Sequence, residues 1–168
     1  MSTLKVNTIQ NTSGTVQPFG ITHCSAWYVT SAFTGGTGTI TSNWAQDTNA
    51  NAGTIGTIPT QSSGVFTLPA TGIWLIDVVG GFEYDGKSRY NRVEIETTAN
   101  NSSYSKALGP YTFITDSGFS GAGYAMNSTQ HMFDCTDTSN CKVRFAYETV
   151  SSVSIYQVNA KITRLGNT

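Results

Sequence analysis

Residues 62–84 read SSGVFTLPATGIWLIDVVGGFEY, and the second half of that stretch decides how the chain folds. Side chains alternate sides along a strand. Ile73, Leu75 and Val79 therefore point one way, and Trp74, Ile76, Val78 and Phe82 the other, with Asp77 interrupting. A strand with one wet face alternates apolar with polar. Here both faces are greasy, so each needs a cover other than water.

Working outward, strands and turns follow one another every 8 to 14 residues or so, the spacing of a sandwich or barrel. THCSAWYVTSAF (22–33) reads as a first strand, with one short strand in the Gly- and Thr-rich stretch at 37–42. The long strand spans Ile73 to Tyr84, and the Asp85-Gly86 pair after it has the chemistry of a tight hairpin turn. In the return strand SRYNRVEIETT (88–98), Val93 and Ile95 oppose Arg92, Glu94 and Glu96, predicting one core face and one wet or interfacial face. GYAMNSTQHMF (123–133), KVRFAYET (142–149) and VSIYQVNAKITRL (153–165) complete the set. In the last of these, Tyr156, Val158, Ala160 and Ile162 share one parity, and in KVRFAYET Val143, Phe145 and Tyr147 do so. No segment carries a helical period, and the expected class is all-β: an antiparallel sandwich.

At 168 residues the chain is long enough for one domain with a sizeable core. Charged residues make up 11 % of it, against roughly 25 % in an average soluble domain. The net charge of −1 gives no electrostatic reason to expect nucleic acid as a partner. Neither a secretion signal nor an apolar run long enough to span a membrane is apparent. Residues 1–20 stand apart: Leu4, Val6 and Ile9 are spaced among polar residues, with too little apolar surface for a core. They read as an arm that docks on something else, leaving 21–168 as the folded domain.

Catalytic chemistry finds little footing. His131, Asp134, Cys135 and Asp137 match no zinc spacing, and DSGFSG (116–121) lacks the nucleophile-elbow pattern. Asp116, Asp134 and Asp137 would hold calcium only if loops gathered them. Glu94 and Glu96 share a strand face about 7 Å apart, where Arg92 favours an ion-paired surface over the carboxylate pair of a glycosidase. No cofactor is expected. Cys135 and Cys141 bracket TDTSN and could meet across a hairpin as a disulfide. Tyrosines and phenylalanines near loops, Tyr104, Tyr111 and Phe119 among them, suit stacking on sugars.

Residues 64–86, GVFTLPATGIWLIDVVGGFEYDG, resemble the central motif of the tumour-necrosis-factor-like and complement globular-head jelly rolls. Phe66, Gly72, Trp74 and Phe82 fall where those domains carry Phe, Gly and two aromatics, and residues 153–165 look like their last strand. The resemblance implies a jelly-roll β-sandwich that forms a homotrimer, the free face of one sheet packing against two sister subunits. Trp74, Ile76, Val78, Tyr147, Tyr156 and Val158 are then expected along the threefold seam; the alternative is that a loop of the same subunit roofs them.

The opening MSTLKVNTIQNTSG (1–14) is similar to openings of tail-fibre-like structural proteins of tailed phages, cyanophage-like ones in particular. That resemblance implies a non-enzymatic virion protein, made in the host cytoplasm, whose arm binds other virion proteins. It would be displayed as a tail-fibre-like, host-attachment protein, with loops 99–120 and 134–141 turned to a host-surface glycan. The alternative is a capsid decoration (cement) protein at threefold sites of the head.

Overall fold

A computed structural model of the chain describes residues 20–115 and 121–168, the side chain of Arg89 excepted. The expected arm residues Leu4, Val6 and Ile9, and the loop residue Phe119, lie outside the described residues. Among those described, every regular element is a strand. In chain order they are β1 (His23–Val29), β2 (Phe33–Thr34), β3 (Thr37–Thr39), β4 (Trp44–Gln46), β5 (Thr60–Ser62) and β6 (Val65–Thr67). Then come β7 (Gly72–Tyr84), β8 (Ser88–Thr98), β9 (Ser105–Leu108), β10 (Thr112–Ile114), β11 (Gly123–Cys135), β12 (Lys142–Glu148) and β13 (Ser154–Gly166).

The strands form two antiparallel sheets. A long-strand sheet runs β11-β7-β13-β1-β4, with β2 added on β13. The second sheet runs β10-β8-β12-β6-β5, with β3 on β12 and β9 on β8. Consecutive strands keep crossing between the two, as in a jelly roll. This corrects two sequence expectations. The turn through Asp85 and Gly86 does not close a paired hairpin; it carries the chain from β7 in one sheet to β8 in the other. The Cys-bracketed turn likewise passes from β11 to β12 across the layers. Turn chemistry dictates that the chain reverses, not which layer the next strand joins.

Trp74, Ile76, Val78 and Phe82 are buried to within 1 % of completely, and they point at the second sheet. There they meet Phe66, Val93, Ile95, Val143 and Phe145 in one core cluster. Phe66 is ringed edge-on by Trp27, Trp44 and Phe145 at centroid distances of 5.1–5.4 Å. Each indole N–H finds an acceptor, as buried tryptophan requires: Trp74 donates to the Ala70 carbonyl at 3.1 Å, Trp27 to Ser25 Oγ at 2.9 Å and Trp44 to the Ile40 carbonyl at 3.0 Å. Gly80 lets the layers close, because a Cβ there would sit 2.3 Å from Val93 Cγ1.

Four of the six expected seam residues are therefore core residues of a single subunit: Trp74, Ile76, Val78 and Val158. No loop roofs them; the opposite sheet does. The cause is parity. Asp77 and Glu83 sit on the Ile73 side of β7, so only the Trp74 side can enter the core without burying a carboxylate. Tyr147 also faces inward, from β12 of the second sheet, with its ring edge-on to Phe33 at 5.2 Å.

Beside β11 the sheets are tied by side chains instead of a strand ladder. The Val93 N–H donates to Asn127 Oδ1 at 3.1 Å, and Thr129 Oγ1 donates to the Val93 carbonyl at 2.6 Å. Asn127 Nδ2 also donates to the Pro110 carbonyl. Both side chains are buried, so these bonds carry the full cost of being left unmade.

Truncating the central ring tests the core assignment. Trp74→Ala should lower the unfolding free energy by about 3–5 kcal/mol, measured by urea denaturation of the subunit. A substitution that left subunit stability unchanged while dissociating an oligomer would return Trp74 to a seam.

Candidate assembly surface

With one face of β7 spent on the core, the other parity forms the outer surface of the long-strand sheet. β7 contributes Ile73, Leu75 and Val79, all half-buried, with Asp77 among them. β11, on the sheet's border, pairs in register with β7 and sets Tyr124 beside Glu83, Met126 beside Gly81 and Met132 beside Leu75. Those three β11 side chains are 64 %, 59 % and 62 % exposed. They are exposed apolar groups on a border strand, with Ser128 and Gln130 between Met126 and Met132, and nothing among the described residues covers them.

Toward the other border the same face is hollowed into a groove of about 440 Å³, bounded by Ala26, Tyr28, Asp47, Asp77, Val79 and Lys161. Ala26 of β1, Val79 of β7 and Asn159 of β13 line the depression, and Tyr28 borders it. Polar contacts punctuate the surface: Gln130 Nε2 donates to Asp77 Oδ1 at 2.5 Å, and Cys24 Sγ lies 3.3 Å from Thr163 Oγ1.

Of the expected seam residues, Tyr156 alone lies on this face. Its place depends on a β-bulge: the register of β13 on β7 slips between Ile155 and Gln157. The extra residue takes Tyr156 out of the alternation with Val158 and lays its ring over Gly81, where a Cβ would stand 2.6 Å from Tyr156 Cζ. Tyr124 meets that ring edge-on at 5.6 Å, and its hydroxyl donates to Glu83 Oε1 at 3.1 Å. The sequence reading missed Tyr28, Met126 and Met132, and it counted Tyr124 only among the aromatics suited to sugars. The signal was present, since Tyr124, Met126 and Met132 share the outward parity of residues 123–133.

The outer surface of the second sheet is built differently. Glu94 and Glu96 are nearly buried there, and cations surround them. Lys106 Nζ lies 2.8 Å from Glu94 and 3.4 Å from Glu96; Arg92 Nε lies 2.8 Å from Glu94; Arg144 pairs with Glu96 and Arg92 with Glu148. The guanidinium groups at the two ends cap tyrosines. Arg144 stacks on Tyr104 at 3.8 Å and Arg92 on Tyr111 at 4.3 Å, while the Tyr111 hydroxyl donates to Glu148 at 3.0 Å. This is the ion-paired face that the alternation of residues 88–98 predicts. It also means that one π-face of each of Tyr104 and Tyr111 is already occupied.

At the end of the sandwich, Cys135 and Cys141 are both buried and both free thiols. Asp137 is held by its own turn, accepting from the Ser139 N–H at 2.8 Å and from Asn140 Nδ2 at 2.6 Å. Those bonds depress its pKa. Among the described residues no group of three or more His, Cys, Asp or Glu could hold a metal ion.

No protein-family model and no curated protein matches the sequence. Solved structures do match the fold. Murine APRIL superposes with a TM-score of 0.57 at 9 % identity, over 85 % of this chain and 98 % of that one. The globular domain of zebrafish complement 1qA gives 0.53 at 9 % identity, over 85 % and 96 %. The PRD1 vertex protein P5 gives 0.52 at 12 % identity, over 89 % and 84 %. At such identities the likeness is one of fold, and it bears out the antiparallel jelly roll expected from residues 64–86.

Two measurements probe this chemistry. Glu94→Gln removes the central anion from between Lys106 and Arg92 and should cost about 2–3 kcal/mol of stability, toward the lower end for a buried pair because Lys106 is half in solvent. Burial lowers the pKa of His131, and burial with the nearby Arg164 charge lowers that of His23. Below the ordinary value of roughly 6.5 the unfolded chain takes up protons that the folded chain refuses, so stability falls as pH drops through that value. Melting temperatures at pH 7.5 and 5.0 should show the fall, and His131→Gln should reduce it.

Proposed function

We propose that this chain is a non-enzymatic structural protein of a tailed-phage virion. It associates as a homotrimer through the outer face of the long-strand sheet, and residues 1–20 anchor it to other virion proteins. The observation that carries the reading is the exposure of Tyr124, Met126 and Met132, beside the half-buried Ile73, Leu75 and Val79, on a sheet whose inner face is already filled by its own core. Large apolar side chains gathered on one exposed sheet face point to an interaction site, and obligate interfaces run to about 2,000 Å² or more.

The virion assignment draws on the likeness of residues 1–14 to tail-fibre openings and on the fold shared with a vertex protein. In this reading the particle displays the domain as a tail-fibre-like attachment protein. The end bearing Tyr111 and the exposed Phe113 turns toward a host-surface glycan. Arg92 covers one face of Tyr111 and its hydroxyl already donates to Glu148, so Phe113 offers the open ring.

Sedimentation velocity at micromolar concentration should give about three times the 18.0 kDa chain mass. Met126→Asp combined with Met132→Asp should release folded monomers with unchanged circular dichroism. A monomeric wild type would end the trimer reading. Copy number in purified particles, a few to tens against hundreds, separates a fibre role from head decoration.

A further inference from the structure

Cys135 closes β11 in the long-strand sheet, and Cys141 immediately precedes β12 in the second sheet. Both are fully buried members of the same core cluster, and Cys141 lies close enough to Cys135 to raise the pKa of its thiol. The intervening residues are clamped in place. Cys141 N–H and Asn140 N–H both donate to the Asp137 carbonyl, at 2.8 and 3.2 Å, and the Asn101 N–H donates to the Asn140 carbonyl at 2.9 Å. The two cysteines thus flank a turn that crosses the layers and whose backbone is hydrogen-bonded in place. Cys24 lies elsewhere, at Thr163 on the outer face.

We propose that Cys135 and Cys141 are an inter-sheet staple, which exchange with a low-molecular-weight disulfide such as oxidised glutathione closes to a disulfide in the folded subunit. One cysteine thiolate attacks a glutathione sulfur, forming a mixed disulfide and releasing glutathione thiolate. The second thiolate attacks the protein sulfur of that mixed disulfide and releases the other glutathione. The protein loses two electrons and two protons, and one glutathione disulfide becomes two thiols. Both sulfurs are buried, so glutathione reaches them when the turn opens locally, and the closed link joins two layers that β11 and β12 do not link by pairing.

Burial, and then the neighbouring Cys141, push the Cys135 thiol up to about 12. Cys135 thiolate is scarce near neutrality, so the staple closes slowly, and faster as pH rises.

The test holds the folded protein with oxidised glutathione at pH 7, 8 and 9, then quenches with acid, alkylates and maps peptides by mass spectrometry. The expected result is an intrachain Cys135–Cys141 link, an alkylated Cys24, and a melting temperature raised by about 5 °C that a dithiol reductant reverses. Cys135→Ser and the smaller-volume Cys141→Ala should each lose the oxidant-dependent rise, whatever their own stability. Three results would overturn the proposal: both thiols still alkylated after exposure that links them in urea, a link through Cys24, or a link between chains.

Discussion

The architecture depends on a single constraint at the centre of the long-strand sheet: β7 can turn only one of its two apolar faces inward. Asp77 and Glu83 belong to the same parity as Ile73, Leu75 and Val79, and burying two uncompensated carboxylates would cost more than those side chains return. The Trp74 side goes in. Phe66, Val93 and Phe145 then come from the second sheet to meet it, and Gly80 yields the space that Val93 needs. The leftover apolar parity is stranded outside by the same choice. Core and assembly surface are thus two sides of one strand, and neither can change parity without the other.

The sandwich has two outer faces, and they have opposite characters. On the second sheet, three cations and three carboxylates alternate in a ladder that ends on stacked tyrosines, so its polar groups are largely paired within the subunit. Such a surface asks nothing of a partner and sits well in water. The long-strand sheet presents methionine, tyrosine, leucine and isoleucine with few ion pairs to hold them. An exposed thirteen-residue border strand carrying that burden is an aggregation hazard unless something occupies it. The contrast says which side a partner would seek.

Much of this was legible before the structure. The all-β class, the long strands and the ion-paired face around Glu94 and Glu96 follow from alternation and turn chemistry, and the jelly roll from the resemblance around Phe66, Trp74 and Phe82; the short strands Trp44–Gln46, Thr60–Ser62 and Ser105–Leu108 were not anticipated. What failed was assignment to layers. Trp74, Ile76, Val78 and Val158 were expected at a seam because the resemblance set one apolar face of the long strand against sister subunits, although the company Asp77 keeps already pointed the indole inward. Tyr156 was placed by simple alternation with Val158, and a one-residue bulge moved it to the opposite face while leaving it on the expected surface. Alternation reports that two residues share a face; it does not say which face is wet, and it breaks wherever a strand gains an unpaired residue. The turns at Asp85-Gly86 and at Cys135–Cys141 mark reversals equally well for a hairpin and for a change of sheet.

The form of the outer face bears on the symmetry of the proposed assembly. Its exposed apolar groups lie on β11 at one border, whereas its groove lies toward β1 at the other. A twofold dimer pairs identical patches, so it would press β11 against β11 about one axis and leave the grooves open. In a closed ring, each subunit presents one border to the opposite border of the next. Tyr124 and Met126 of one copy then face the depression beside Tyr28 and Val79 of its neighbour, and every copy has both elements engaged. Methionine suits that contact, because an unbranched thioether adapts to an irregular hollow. Rotational closure satisfies the stranded parity of β7 and removes the exposed border in the same step, which a pairwise contact does not do.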